Sequence, residues 1–140
     1  MLTLVAQNHW NLHLHSSLAE LQKIPTFIDE IPPLRRLKED KQYFLKLSLH
    51  ELATNAIVHG NKLVSEKKVQ INLQIERDKI LITISDEGSG FTKEVYDNIM
   101  RSDPTVKEGG RGLRLVKETM ELVSLHTSNG KFSLTFEMIA

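Results

Sequence analysis

Apolar and polar residues alternate along five stretches of the chain, which is the period-two pattern of strands with one buried face. These stretches are residues 10–14, 69–75, 80–84, 123–127 and 132–138. A short polar turn at residues 77–79 joins the second stretch to the third and predicts an antiparallel hairpin. Residues 1–6 either extend the first strand or pair beside it. Asp86 has the parity of the apolar residues before it, so we expect its side chain to point toward the face that packs against helices.

Helical spacing of apolar residues begins after the first strand. Ser17 and Glu20 have the spacing of a capping box, which favours a helix start. The apolar positions of this helix are Leu18, Leu21, Ile24, Ile28 and Ile31. Pro25 should kink the helix because proline has no backbone donor, and Pro32 and Pro33 should end it.

A longer helix is predicted from about residue 41 to residue 59, with Gly60-Asn61 as its terminus. Its buried stripe consists of Leu45, Leu49, Leu52 and Ala56, and a neighbouring polar stripe consists of Ser48, Glu51, Asn55 and His59. A final helix is predicted over Leu113, Val116, Met120 and Val123. This order of elements predicts an α+β fold, a two-layer α/β sandwich with helices on one face of a mixed, mostly antiparallel sheet.

The stretch between the hairpin and the final helix has no clean periodicity, apart from a short helix predicted near residues 94–100. Ser102-Asp103-Pro104 and Gly109-Gly110 are typical of a loop. Because a long loop in a compact domain is often a lid over a ligand, we predict a lid near residues 97–110.

Composition narrows the class of protein. A chain of 140 residues most simply forms one domain, here residues 1–140. Eighteen basic and eighteen acidic side chains balance, which argues against direct nucleic-acid binding. The sequence contains no cysteine, no apolar run long enough to span a membrane and no signal-peptide pattern, so we expect a cytoplasmic protein without membrane contact.

Glu51 and Asn55 form the first candidate site, because a spacing of four puts both side chains on one face of a helix. A carboxamide oxygen is a hard ligand suited to Mg²⁺, and a carboxylate one turn earlier can accept a proton. A solvated helix face is the alternative interpretation for an isolated pair. Asparagine inside a long helix has a propensity cost, which argues for a function.

Two glycine-containing motifs follow. Asp86, Gly88 and Gly90 end a strand in a turn, where a carboxylate can accept a hydrogen bond from an adenine amino group and glycine lets backbone approach a base. An ordinary strand-ending turn is the alternative. The loop of Gly109, Gly110 and Gly112 opens the final helix, whose N-terminus favours phosphate. Together the motifs indicate a metal–nucleotide site.

Other motifs with similar residues are excluded. The chain has neither G-x-x-x-x-G-K-[ST] nor G-x-G-x-x-G, so neither a P-loop nor a Rossmann dinucleotide site is supported. Thr54 replaces the second histidine of H-E-x-x-H, which argues against a metalloprotease. Asn55 stands where the phospho-acceptor box of histidine kinases has proline, so His50 is interpreted as a half-exposed helix residue.

The order E-x-x-x-N, D-x-G-x-G, G-x-G-L resembles that of the GHKL ATPases, which include gyrase and the histidine kinases. The segments ELATNAIVHG, residues 51–60, and GGRGL, residues 109–113, are most similar to those of bacterial anti-sigma factor serine/threonine kinases. The resemblance covers roughly residues 10–138 and implies the GHKL ATPase fold. It also implies ATP and Mg²⁺ as cofactors.

The resemblance implies a role for each matching residue. Glu51 would be the general base, Asn55 the Mg²⁺ ligand and Asp86 the adenine-binding carboxylate. The remaining nucleotide-binding positions would be Gly88, Gly90, Lys107, Gly109, Gly110, Arg111, Gly112 and Leu113. For Arg111 and Lys107 a solvated surface charge is an equal alternative. Arg114 departs from the small or apolar residue expected from relatives, which leaves lid packing or partner contact open.

The implied function is that of an anti-sigma factor. Such proteins sequester a sigma factor and phosphorylate a serine or threonine of a small antagonist protein. Two alternatives stay open at this point. One is a non-catalytic regulator whose partner binding depends on nucleotide, and the other is a detached histidine kinase-type catalytic domain. The sequence also leaves a homodimer open.

Overall fold

The computed structural model describes residues 3–6, 8–101 and 110–140, with only the backbone described for 3–6 and 110–113. The strands are β1 Thr3–Ala6, β2 His9–His15, β3 Lys68–Ile75, β4 Lys79–Asp86, β5 Glu121–Ser128 and β6 Lys131–Ile139. The α-helices are α1 Lys23–Asp29, α2 Glu39–Asn55, α3 Lys93–Arg101 and α4 Gly110–Thr119. Two 3₁₀ turns, Leu18–Gln22 and Pro32–Arg36, and one π-helical turn, Ala56–Gly60, complete the described elements.

The six strands form one sheet in the order β1-β2-β3-β4-β6-β5. Each of the five described pairings is antiparallel, and residues 3–6 form a separate strand beside β2. The predicted α+β sandwich is therefore confirmed. The parallel pair that a mixed sheet would need does not occur among the described strands.

One face of the sheet packs against the helices and forms the core. Alternate residues of the central strands are almost completely buried, as strand geometry requires when one face is covered. The buried strand residues include Leu12, Leu14, Val69, Ile71, Leu73, Ile80, Ile82, Ile84, Phe136 and Met138. The opposite parity in β3 and β4 carries mainly polar residues, including Gln70, Asn72 and Thr83, which are half-buried. The predicted pattern of one buried face is confirmed for β2, β3, β4 and β6, whereas no residue of β5 is fully buried.

Helix α2 lies at the centre of the helical layer and contacts α1 and α4. The predicted buried stripe is confirmed, because Leu45, Leu49, Leu52 and Ala56 are each 5% exposed or less. Ser48 departs from the predicted polar stripe. It is fully buried, and its hydroxyl has no hydrogen-bond partner among the described residues.

The first predicted helix differs from the structure. A 3₁₀ turn precedes α1, and Pro25 lies in the first turn of α1, where a missing N–H breaks no helical hydrogen bond. Pro25 therefore does not kink a continuous helix. The Ser17 side chain makes no capping bond, while Glu20 Oε1 accepts a 2.9 Å hydrogen bond from the His15 backbone N–H.

The last predicted helix is shorter than expected. Helix α4 ends at Thr119, so Val123 belongs to β5, where it is 49% exposed. Val123 lies at an irregularity of the register between Leu122 and Ser124, which pair with Phe136 and Thr135 of β6, so strand pairing on both sides of it prevails over the helical spacing. The short helix predicted near residues 94–100 is confirmed as α3. No helix in the described part of the chain is long and apolar enough to cross a membrane.

Candidate nucleotide-binding site

Asp86 is the last residue of β4 and is buried, with only 7% of its surface exposed. Its Oδ1 atom accepts a 2.8 Å hydrogen bond from the Gly88 backbone N–H. Burial raises the pKa of the Asp86 carboxyl group, and the hydrogen bond from Gly88 opposes this effect. The predicted inward orientation is confirmed. A buried carboxylate with one oxygen still free of described hydrogen bonds is suited to accept one more donor.

The backbone of Gly60 lies directly against this carboxylate. A Cβ atom on Gly60 would collide with Asp86 Oδ2, and a Cβ atom on Gly88 would collide with the Gly60 carbonyl oxygen. Gly60, Asp86 and Gly88 therefore fit together only because two of them have no side chain. In the sequence Gly60 is recognisable only as a helix terminus, and nothing local indicates this contact.

The π-helical turn Ala56–Gly60 produces the contact. At its end the Asn61 backbone N–H donates a 2.8 Å hydrogen bond to the Ala56 carbonyl oxygen, five residues earlier. A turn of this kind widens the helix and changes the direction of the residues that follow, and such turns are frequent at functional sites. Here the turn contacts β3 and β4 and brings Gly60 to Asp86.

Replacing Gly60 with alanine should displace the Asp86 carboxylate and weaken ADP binding by about tenfold or more, the equivalent of one charged hydrogen bond. Isothermal titration calorimetry measures this loss. His59→Ala is the matched control, because His59 is exposed in the same turn. A Gly60→Ala protein with wild-type affinity would show that this contact does not shape the site.

Glu51 and Asn55 lie one turn apart on α2, and both are half-buried. Burial raises the pKa of the Glu51 carboxyl group. The Asn55 carboxamide makes no hydrogen bond to any described residue, whereas the neighbouring Thr54 hydroxyl donates to the His50 carbonyl oxygen at 2.6 Å. Asn55 is therefore free to bind a ligand. His50 is exposed, somewhat more than predicted.

Gly90 borders an aromatic contact beyond Asp86. It has φ +74°, and a Cβ atom there would collide with the Phe132 ring. The Phe91 ring packs against Phe132 with its centroid 4.8 Å away. This position therefore requires glycine on two grounds, its backbone conformation and the space beside it.

The predicted glycine-rich loop is described only in part. Lys107 and Gly109 lie outside the described residues, as does most of the predicted lid, whose residues 97–101 belong to α3. Gly110, Arg111, Gly112 and Leu113 form the backbone of the first turn of α4. This is the helix start that the sequence predicts.

Arg114 and Lys117 of α4 have described contacts. Arg114 forms an exposed ion pair with Glu118 at 3.4 Å, so it is a surface residue of the helix. Lys117 Nζ donates a 3.2 Å hydrogen bond to the Met100 carbonyl oxygen and ties α4 to the end of α3.

The donor set fits a Mg²⁺ ion held jointly by protein and nucleotide. No group of three or more histidine, aspartate or glutamate side chains within the described ranges could hold a metal by itself. Asn55 offers a free carboxamide oxygen, which is a hard ligand. Mg²⁺ commonly takes one or two protein oxygens, with phosphate and water as the other ligands.

A cavity of about 460 Å³ lies at the other end of β4, beside Ile80 and the residues of the β3–β4 turn. Arg36 and Arg77 are on its border, and Leu34 and Ile75 line it. None of the residues that line this cavity belongs to the three motifs, so it is separate from the candidate site.

Comparison with known proteins agrees with these observations. Residues 14–138 match the family described as histidine kinase-like ATPase domain. The anti-sigma F factor of Bacillus subtilis (strain 168) is 30% identical over 107 residues, which are 75% of this chain and 70% of that protein. The anti-sigma F factor of Clostridium perfringens (strain SM101 / Type A) is 27% identical over 110 residues, which are 77% of this chain and 76% of that protein.

Solved structures share the fold. The catalytic domain of the histidine kinase ThkA, in a nucleotide-free form, aligns with a TM-score of 0.54 at 17% identity. The alignment covers 92% of this chain and 96% of that domain. The likeness shows a common fold that extends over nearly the whole chain.

Proposed function

This chain belongs to the histidine kinase-like ATPase family, and on that basis we propose that it is an ATP-dependent anti-sigma factor kinase. In this proposal it sequesters a sigma factor and phosphorylates a serine or threonine of a small antagonist protein. The similarity to anti-sigma F factors over three quarters of the chain supports a sigma factor and an antagonist protein as its binding partners. One observation carries the chemistry, namely that α2 bears Glu51 and Asn55 and then ends in the turn that seats Gly60 against Asp86.

Asp86 is proposed to recognise adenine. Its Oδ1 atom is engaged by the Gly88 N–H, which orients the carboxylate. Oδ2 then accepts a hydrogen bond from the exocyclic amino group of the base. The absence of side chains on Gly60 and Gly88 lets the carboxylate and the turn pack closely.

Asn55 is proposed to hold Mg²⁺ through its carboxamide oxygen, together with the nucleotide phosphates. When bound, the ion neutralises phosphate charge during transfer. We further propose that residues 1–140 form one domain, that residues 97–110 act as its lid, and that the first turn of α4 approaches the phosphates. Backbone N–H groups at a helix start, including those of Gly110 and Gly112, are suited to that task.

Glu51 is proposed as the general base. Its carboxylate accepts the proton of the attacking serine or threonine hydroxyl of the antagonist as the hydroxyl oxygen bonds to the γ-phosphorus of ATP, while the bond from that phosphorus to the β,γ-bridging oxygen breaks and ADP leaves. Because burial raises the pKa of Glu51, its conjugate acid is weaker and the carboxylate is a better proton acceptor than an exposed glutamate. Transfer to the antagonist hydroxyl needs no phosphorylated histidine on this chain. We also propose a cytoplasmic location, because a sigma factor acts in the cytoplasm.

The test is transfer of labelled phosphate from Mg-ATP to candidate antagonist proteins encoded nearby. We expect a phosphoprotein whose label survives acid, as phosphoserine and phosphothreonine do and phosphohistidine does not. Asn55→Ala is the control that should weaken labelling. Acid-labile label would favour the histidine kinase-type alternative. Binding of a partner with no transfer would favour the non-catalytic regulator.

A further inference from the structure

Asn61 is a polar residue with no exposed surface, and it directly follows the π-helical turn. Burying a carboxamide is unfavourable unless its polar atoms are hydrogen-bonded. The three described partners of the Asn61 side chain come from three different segments of the chain. Its environment is therefore a specific polar junction at the border of a mainly apolar core.

The distances define this junction. Asn61 Nδ2 donates to Ser16 Oγ at 2.8 Å and to the Lys68 carbonyl oxygen at 3.1 Å. Asn61 Oδ1 accepts a 2.7 Å hydrogen bond from the Glu87 backbone N–H. The Ser16 hydroxyl in turn donates to the Lys67 carbonyl oxygen at 2.6 Å. A carbonyl can only accept and a backbone N–H can only donate, so these partners fix the orientation of the amide.

The junction joins the end of β2, the start of β3 and the end of β4 to the residue that follows the π-helical turn. In its third hydrogen bond the donor is the backbone N–H of Glu87, the residue between Asp86 and Gly88. Asp86 and Gly88 form the hydrogen bond that orients the carboxylate. Holding the Glu87 N–H thus limits rotation of the backbone on which that orientation depends.

We propose that Asn61 is a positioning residue for adenine recognition and acts through Asp86. It holds the 86–88 turn in the binding geometry before nucleotide arrives, so that binding does not have to order the turn. This inference rests on the proposed ATP site and extends it to a residue outside the three motifs. Ser16, on the other side of the junction, supports Asn61 without contacting the turn.

A double-mutant cycle measured by ADP calorimetry tests the proposal. Asn61→Ala should weaken ADP binding by about tenfold, since binding would then have to order the 86–88 turn that Asn61 otherwise holds in place. In an Asp86→Asn background the same change should have almost no further effect, because Asn61 acts through that carboxylate. Ser16→Ala is the matched control and should change affinity by roughly twofold or less. Fully additive losses in the double variant would overturn the proposal, because a merely structural role predicts them.

A measurement on the unaltered protein covers the case in which Asn61→Ala does not fold. In nuclear magnetic resonance spectra the Asn61 side-chain NH₂ signals should exchange slowly with solvent and shift together with the Gly88 amide as ADP is added. If the Gly88 amide shifts and the Asn61 signals do not, the positioning role is wrong. If wild type and Asp86→Asn bind ADP equally, the adenine role of Asp86 itself fails, which is a separate result.

Discussion

Replacing Glu51 with glutamine should lower phosphotransfer by about 10²–10⁴-fold and leave ATP affinity within about twofold of wild type. Glutamine has the same length and similar shape, and it does not accept the hydroxyl proton. Single-turnover transfer at saturating Mg-ATP and antagonist measures the rate, and calorimetry measures the affinity. A Glu51→Gln protein that transfers phosphate at the wild-type rate would exclude Glu51 as the general base.

Two neighbouring substitutions on the same helix serve as comparisons. Asn55→Ala should weaken both nucleotide binding and transfer, because its carboxamide would hold the Mg²⁺ ion that neutralises phosphate charge. Thr54→Ala should behave as wild type, since the Thr54 hydroxyl bonds to the helix backbone. If all three variants lost binding equally, damage to α2 would explain the effect of the Glu51 change.

The pH dependence of transfer gives independent evidence. Because burial raises the pKa of Glu51, the rate should fall on acidification with a midpoint above the ordinary glutamate value of about 4.3. The rate should fall toward acid pH because Glu51 is proposed as a general base, and only its ionised carboxylate accepts a proton. The residual rate of Glu51→Gln should lack this midpoint.

Replacing Asp86 with asparagine should weaken ADP binding by roughly 1.5–3 kcal/mol, which is about a 10- to 150-fold rise in the dissociation constant. The carboxylate is buried and already oriented by Gly88, so in the proposed site its second oxygen would make a charged hydrogen bond to the base. Asparagine keeps an oxygen for Gly88 but replaces the second acceptor with a donor. Unchanged ADP affinity would remove Asp86 from the site.

Thermal unfolding of the same variant without nucleotide separates lost recognition from lost folding. The pKa of Asp86 is raised in the folded protein, so its stabilising contribution is fully present below the unfolded value of about 3.9 and is lost as pH rises through the folded value. A neutral asparagine does not incur this loss. We therefore expect Asp86→Asn to unfold at pH 7 no earlier than wild type, despite its weaker ADP binding.

Local patterns in the sequence predicted most of the fold. Alternation identified the core strands because one sheet face is covered, and the α2 stripe of Leu45, Leu49 and Leu52 followed from helical spacing. The predicted family is confirmed by the match over residues 14–138. Val123 fits both the helical spacing of α4 and the predicted strand 123–127, and pairing of its neighbours Leu122 and Ser124 with β6 decides for the strand.

The site was predicted less completely, since two of its supporting residues depend on contacts between distant segments. Gly60 and Asn61 looked like an ordinary helix terminus, and their roles appear only once β4 lies beside them. Ser48 was placed on a polar stripe because a serine gives no sign in sequence that it is fully buried. The roles of Glu51, Asn55 and Asp86 remain predictions that the variants above test.

The π-helical turn also determines where the chain tolerates a change of length. Removing one residue from Ala56–Gly60 would let regular α-helical bonding continue, and would rotate the following residues by about 100° around the helix axis. Gly60 would then no longer meet Asp86, and Asn61 would no longer meet Glu87, although the helix itself would become more regular. Residues 62–66 are all exposed, so an inserted residue there displaces no buried side chain, and the hydrogen bonds from the Leu63 and Val64 backbone N–H groups to Ile57 and Asn61 would have to adjust. Related sequences should therefore vary in length after Asn61 and keep it constant between Asn55 and Asn61.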